Sequence, residues 1–202
     1  AKELGLKVTA VTVVSKETNP ISDSAAVRAN ALDTLKTAVD RTHQLGGTVL
    51  CGPIHSAHAY FEAHPALDDE YSRAAEVLYQ VGDYAQQAGI ILAPEALNRF
   101  ECYLCNTMQQ LLRLVKATNH PHVKAMFDTH HANMEEKKFG KAIETISPYL
   151  HHVHISENDR GTPGDGHIQF DDTFVALKKI NYSGALTIEA FSRNDPDFAN
   201  AI

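Results

Sequence analysis

The sequence predicts an α/β protein made of repeated βα units around a parallel sheet. Two features carry that reading. Short β-branched runs alternate with longer amphipathic segments along the 202 residues, the pattern of strands and the helices that cover them. Four consecutive apolar runs then end in a residue able to bind a cation or move a proton: Glu95, Asp128, His154 and Glu189.

The chain opens in residues 1–5, which read as the last turn of a helix stopped by Gly5. Residues 8–14, Val-Thr-Ala-Val-Thr-Val-Val, are the first strand. A helix follows Ser24, with Val27, Leu32, Leu35 and Val39 on one side, and stops at Gly46-Gly47. Residues 48–51 form the second strand. The next helix opens in Asp68-Asp69-Glu70, where acidic groups suit the positive helix start, carries Ala74, Val77, Val81, Tyr84 and Ala88, and stops at Gly89. Residues 90–93 are the third strand, with Leu111, Leu112 and Val115 marking its helix. The fourth strand spans 123–127, with a shorter helix over 141–146. The fifth spans 150–155, its helix lined by Phe174, Leu177 and Ile180, and the sixth spans 185–188. Six units fit a doubly wound sheet and a barrel equally well.

Composition narrows the class. A chain 44% hydrophobic and 21% charged predicts one soluble globular domain over 1–202. No apolar run reaches eighteen residues, so no membrane-spanning helix is expected, and residues 1–5 lead into no apolar signal-peptide region. A net charge of −7 without a Lys/Arg cluster argues against nucleic acid or an anionic membrane as partner. Three cysteines, Cys51, Cys102 and Cys105, are too few for a disulfide framework and suggest a reducing cytoplasm. Cys102 and Cys105 have C-x-x-C spacing but no further ligands nearby, and are expected on a helix face. Seven of the 12 histidines fall between 120 and 154, which raises the prospect of a metal or proton-transfer site.

A charged group at the end of an apolar strand is costly unless something compensates it. One such residue is an ordinary helix cap; four in succession point to a shared site at the carboxyl edge of the sheet, where βα loops converge. Three carboxylates and one imidazole suit Mn²⁺, Mg²⁺ or Co²⁺ with positions left for substrate oxygens; zinc more often takes richer Cys/His sets.

Four blocks carry a family resemblance: Glu95-Ala96-Leu97-Asn98-Arg99-Phe100-Glu101, Phe127-Asp128-Thr129-His130-His131-Ala132-Asn133, His154-Ile155-Ser156-Glu157-Asn158-Asp159-Arg160-Gly161, and Thr187-Ile188-Glu189. Together they resemble the ketose 3-epimerases, the D-tagatose/D-psicose 3-epimerase group of the xylose-isomerase-like barrels, and the resemblance extends from the first strand to the end. It implies a (β/α)₈ TIM-type barrel. It implies that Glu95, Asp128, His154 and Glu189 bind the metal, usually manganese, that Glu101, His131 and Arg160 contact the sugar, and that Glu95 and Glu189 exchange its C3 proton.

The chemistry agrees with that assignment. Removing the proton at C3 of a ketose requires stabilisation of the resulting enediolate, which a metal chelated by O2 and O3 supplies. Inversion needs a base on each face. If the visible strands are the last six of eight, Glu95 and Glu189 stand on strands five and eight, about 135° apart around the barrel. The loop residues His131 and Arg160 gain their roles from the motif alone. The loop 161–166 reads as a surface loop or a mobile cover, His55, His58 and His167 are left without roles, and His151 and His152 are expected as packed strand residues.

A barrel of this kind runs to about 250 residues. The expectation is therefore a barrel truncated to strands 3–8, without the first two βα units and the final helix, closing in 198–202. Its two outer strands would present unpaired edges that a partner chain could cover or through which the fragment could aggregate; a homo-oligomer is expected. Three alternatives remain at this point. An apurinic endonuclease of the same superfamily would need more His ligands and a basic surface. A sugar-phosphate epimerase would need a Gly-rich phosphate cradle, which is not visible. An inactive fragment would bind only metal or sugar.

Overall fold

Every strand pairing is parallel, as the βα alternation predicts. The computed structural model describes residues 2–191; Ala1 and residues 192–202, including the 198–202 segment noted above, lie outside the described residues. Strands β1 (Val8–Val11), β2 (Gly47–Gly52) and β3 (Ile91–Pro94) form one sheet in that order, and β4 (Ala125–Asp128), β5 (Leu150–Ile155) and β6 (Ala185–Ile188) another. Each strand within a sheet lies beside the next one in the chain. A doubly wound sheet reverses its strand order at a switch point; this one does not, and its order is that of a barrel wall.

The wall is not the continuous ladder that six successive units suggested. Among the described residues, only the bridges Leu92–Val123 and Glu95–Met126 connect the two sheets between β3 and β4. Leu92 N–H donates to the His122 carbonyl at 2.8 Å, and Lys124 N–H donates back to Leu92. The next residue of β3 with the same orientation is Pro94, which has no N–H to offer. The ladder breaks there.

The covering helices are α1 (Ala25–Gln44), α2 (Asp68–Gln87), α3 (Met108–Thr118), α4 (Thr129–Glu135), α5 (Phe139–Ile146) and α6 (Phe170–Lys179). α2 starts on the three acidic residues that the sequence singled out. α3 starts in a capping box in which Thr107 and Gln110 satisfy each other's backbone. Residues 2–4 form one short 3₁₀ turn before Gly5, at φ +66°.

Alternation along the strands sorts residues to two faces. Leu50, Leu92, Phe127 and Val153 join Leu35, Leu78, Val81, Leu111, Leu114 and Ile143 of the helices in one core, each large side chain contributing roughly 2 kcal/mol by its burial. The opposite parity, Val49, Cys51, Ala93 and Met126, forms a second, interior cluster. Met126 pairs with His152 and Asp128 with His154, so these polar residues share the interior face. Val11 on β1 and Leu186 and Ile188 on β6 are exposed, and among the described residues neither strand has a second neighbour.

Three local expectations are corrected. The first strand ends at Val11 rather than Val14. Residues 129–135 are helix α4, not loop, because Asp128 caps the turn. Cys102 and Cys105 lie in the β3–α3 loop, not on a helix: Asn106 Nδ2 donates to the carbonyls of Leu97 and Cys102, and the helix begins only after Thr107.

Candidate metal centre and active site

The four strand-end residues leave the same edge of the wall. Glu95 follows β3, Asp128 ends β4, His154 is the penultimate residue of β5, and Glu189 follows β6. One donor atom from each lies within 4.8 Å of the others. Glu95, Asp128 and His154 are buried, and the Glu189 side chain is 20% exposed. His154 Nδ1 stands 3.6 Å from Asp128 Oδ2 and 3.5 Å from Glu189 Oε1.

Asp128 divides its two oxygens. Oδ1 accepts from the N–H groups of His130 and His131 at 2.7 and 3.1 Å, which starts α4. Oδ2 is left to face His154 and Arg160. Glu95 Oε1 and both ring nitrogens of His154 have no hydrogen-bond partner among the described residues. Buried polar atoms without partners are expensive, and of these Glu95 Oε1 and His154 Nδ1 belong to the carboxylate-rich cluster.

The field at that cluster is negative. Burial pushes the Glu95 carboxyl well above the usual carboxylate range, and the Asp128 charge adds to this. Burial works against charge on His154 as well, but Asp128, Cys51 and Glu189 beside the ring outweigh it and push the imidazole up to about 12. Burial raises Asp128 too, yet His154, His131 and Arg160 outweigh it and hold its carboxyl far below the ordinary value. A site that draws a proton onto an imidazole so strongly is one that attracts a cation. The orphaned donors, the mainly oxygen set and this field fit a hard divalent ion.

The expected sugar-contacting residues surround this cluster. Arg160, held in the left-handed region at φ +62°, donates to Glu189 Oε2 at 2.6 Å and Ser156 Oγ at 2.7 Å, and lies 2.9 Å from His131 Nε2. His131 on α4 is buried, and burial lowers it to about 4, so it is neutral. Its Nε2 also lies 3.6 Å from Glu95 Oε1. Glu101 reaches the group through Asn98, whose Nδ2 donates to Glu101 Oε1 at 2.8 Å and lies 2.9 Å from His131 Nδ1. All seven predicted site residues thus belong to one connected cluster.

Some of its members carried no expected role. Asn98 is buried beside His131; it lies inside the 95–101 block, yet nothing in its type marks it as a linker. Ser156 follows His154 by two residues and so shares its strand face, a signal that was available. Glu157, 1% exposed, accepts from the N–H groups of Asn158, Gly164 and Ile168 and organises the loop carrying Arg160. Of the unassigned histidines, buried His55 has Nε2 2.9 Å from the Glu95 carbonyl, and His58 Nε2 is 3.2 Å from Glu101. His167 is exposed, and its backbone N–H donates to Asn158.

Comparisons with known proteins agree with this geometry. A family model described as "Xylose isomerase-like TIM barrel" matches residues 1–201. The chain is 36% identical over 192 residues to D-psicose 3-epimerase of Agrobacterium fabrum (strain C58 / ATCC 33970), covering 95% of this chain and 66% of that protein. It is 32% identical over 203 residues to L-ribulose 3-epimerase of Methylomonas sp. (strain DH-1), covering 100% and 71%. Among solved structures, D-allulose 3-epimerase from Methylomonas sp. in complex with D-allulose superposes with a TM-score of 0.91 at 33% identity, over 99% of this chain and 70% of that one. The chain spans about two thirds of the length of these relatives. The strand order, the strand-end cluster and these likenesses agree: the chain belongs to the xylose isomerase-like TIM barrel family, among the ketose 3-epimerases.

Proposed function

We propose that this protein inverts C3 of free ketohexoses of the D-tagatose, D-psicose and D-fructose type, with a divalent ion, Mn²⁺ in our reading, held by Glu95, Asp128, His154 and Glu189. The observation that carries this is the convergence of those four donors within 4.8 Å at one edge of a parallel barrel wall. The names of its relatives, D-psicose, L-ribulose and ketose 3-epimerase, support the substrate class.

An ion held by these four residues would supply positive charge that lowers the cost of the charge developing as the C3 proton leaves. Glu95, buried beside the cluster, would exchange the C3 proton on one face. Glu189, held by Arg160 at 2.6 Å, takes or returns a proton on the other face. Arg160, neutral His131 and Glu101 orient the sugar hydroxyls, and burial of most of the cluster keeps water from the carbanion-like carbon. The continuous core supports reading residues 1–202 as one domain. The free cysteines support a reducing cytoplasm.

The test is deuterium uptake at C3 of D-fructose, D-tagatose and D-psicose in D₂O, with and without Mn²⁺. Mn²⁺-dependent uptake is expected, abolished in both Glu95→Gln and Glu189→Gln. Uptake that survives either change removes the two-base assignment.

A further inference from the structure

Below the carboxylate-rich cluster, the barrel interior holds a second set of donors of different chemistry. We propose that Cys51, His152 and His154 form a second cation site, selective for thiophilic ions such as Zn²⁺ or Cd²⁺, which shares His154 with the first. A neutral imidazole offers one lone pair, so the two sets compete for His154, and filling both at once would require its imidazolate.

The topology brings these residues together from opposite arcs of the wall. Cys51 lies on β2 in the interior cluster with Val49, Ala93 and Met126. His152 and His154 lie two apart on β5, so both rings project to the same face, with centroids 5.1 Å apart. One donor atom from each of the three lies within 4.8 Å of the others. All three are buried, at 0%, 1% and 1% exposure.

Hydrogen bonding leaves this set unfinished. Nδ1 of His152 and both nitrogens of His154 have no partner among the described residues. The Cys51 thiol makes a weak contact, 3.3 Å to the Ala10 carbonyl, and lies beside the His154 ring. Nδ1 of His154 faces Asp128 and Glu189, so its other nitrogen remains for the thiol side. A plain packing role suits Cys51 taken alone. It does not explain two buried imidazoles beside it with unsatisfied nitrogens, for which such sites normally provide partners.

The donor chemistry separates the two sites. Thiolate with imidazole selects soft or borderline ions, whereas carboxylates select Mn²⁺ or Mg²⁺. Because one imidazole serves both sets, a thiophilic ion on its far nitrogen alters the hold of His154 on the upper ion. The proposed consequence is saturable inhibition by zinc-like ions that depends on Cys51.

The experiment titrates the metal-free full-length chain with Cd²⁺, in a phosphine reductant, and follows thiolate-to-cadmium charge-transfer absorption in the near ultraviolet. The band is expected to saturate at one ion per chain, to vanish in Cys51→Ser, and to require at least tenfold more Cd²⁺ in His152→Gln. It should persist in the Cys102→Ser/Cys105→Ser double variant. No band in the wild type, or a band that survives Cys51→Ser, overturns the proposal. Far-ultraviolet circular dichroism checks each fold, and Cys51→Ala replaces Cys51→Ser if that variant unfolds. Mn²⁺ binding to Cys51→Ser, followed by electron paramagnetic resonance, reports on the carboxylate set alone, so the failure of one site is distinguishable from failure of the other.

Discussion

Asp128 gives the sharpest handle on the site, because its two oxygens do separable work. Oδ1 accepts the first N–H groups of α4, while Oδ2 faces the cluster. Asp128→Asn keeps a carbonyl oxygen for the cap but removes the charge; Asp128→Ala removes both. Loss of a cap costs about 1 kcal/mol, or about 2–4 °C in Tm for a chain of this size. In the absence of metal both variants lose the charge that Arg160 and His154 pair with, and the Ala variant, which also loses the cap, should melt a few degrees below the Asn variant. Ligation adds a second scale. At Mn²⁺ one hundredfold above Kd, the wild type gains about 2.7 kcal/mol, or about 5–11 °C. If the missing carboxylate weakens binding by about one hundredfold, the same concentration leaves the Asn variant about 0.4 kcal/mol, roughly 1 °C. Thermal unfolding of the three proteins with and without Mn²⁺ reads both effects at once. An Asn variant that keeps the full Mn²⁺-induced rise refutes the assignment of Asp128 as a ligand.

The supporting shell makes two further predictions. Glu157→Ala strips three N–H groups of their acceptor and should cost about 3 kcal/mol; limited proteolysis within 158–168 should accelerate and KM rise, and an unchanged cleavage pattern would deny that Glu157 orders the Arg160 loop. Burial raises the Glu135 carboxyl, but the paired Arg99, bound through Nη2 at 2.9 Å and through its backbone N–H, outweighs it and holds it below its ordinary 4.5. A depressed carboxylate stabilises the fold above its unfolded value and loses that contribution as pH falls through 4.5 and below; wild type should therefore lose more stability than Glu135→Gln over that window, and parallel pH–stability curves would contradict the pairing.

Much of this protein is written locally in its chain. The βα alternation, the helix starts at Asp68 and after Ser24, and the placement of Glu95, Asp128, His154 and Glu189 at strand ends all follow from periodicities that neighbouring residues set by themselves. The blocks around those residues were enough to name the family. Asp128 as the cap of α4 was also legible, since an Asp after a strand is a common helix start, yet the loop reading of His131 missed it.

What only the tertiary structure decided is which residues meet from distant parts of the chain. That Asn98 joins Glu101 to His131, that Arg160 lies between His131 and Glu189, and that Cys51 faces His152 and His154 depend on strand order, register and wall curvature. The break beside Pro94 depends on which way a single missing N–H points. Such relations belong to pairs far apart in sequence, whose proximity is set by the packing of β2, β3, β4 and β5 around one interior. No pattern of a few residues encodes them.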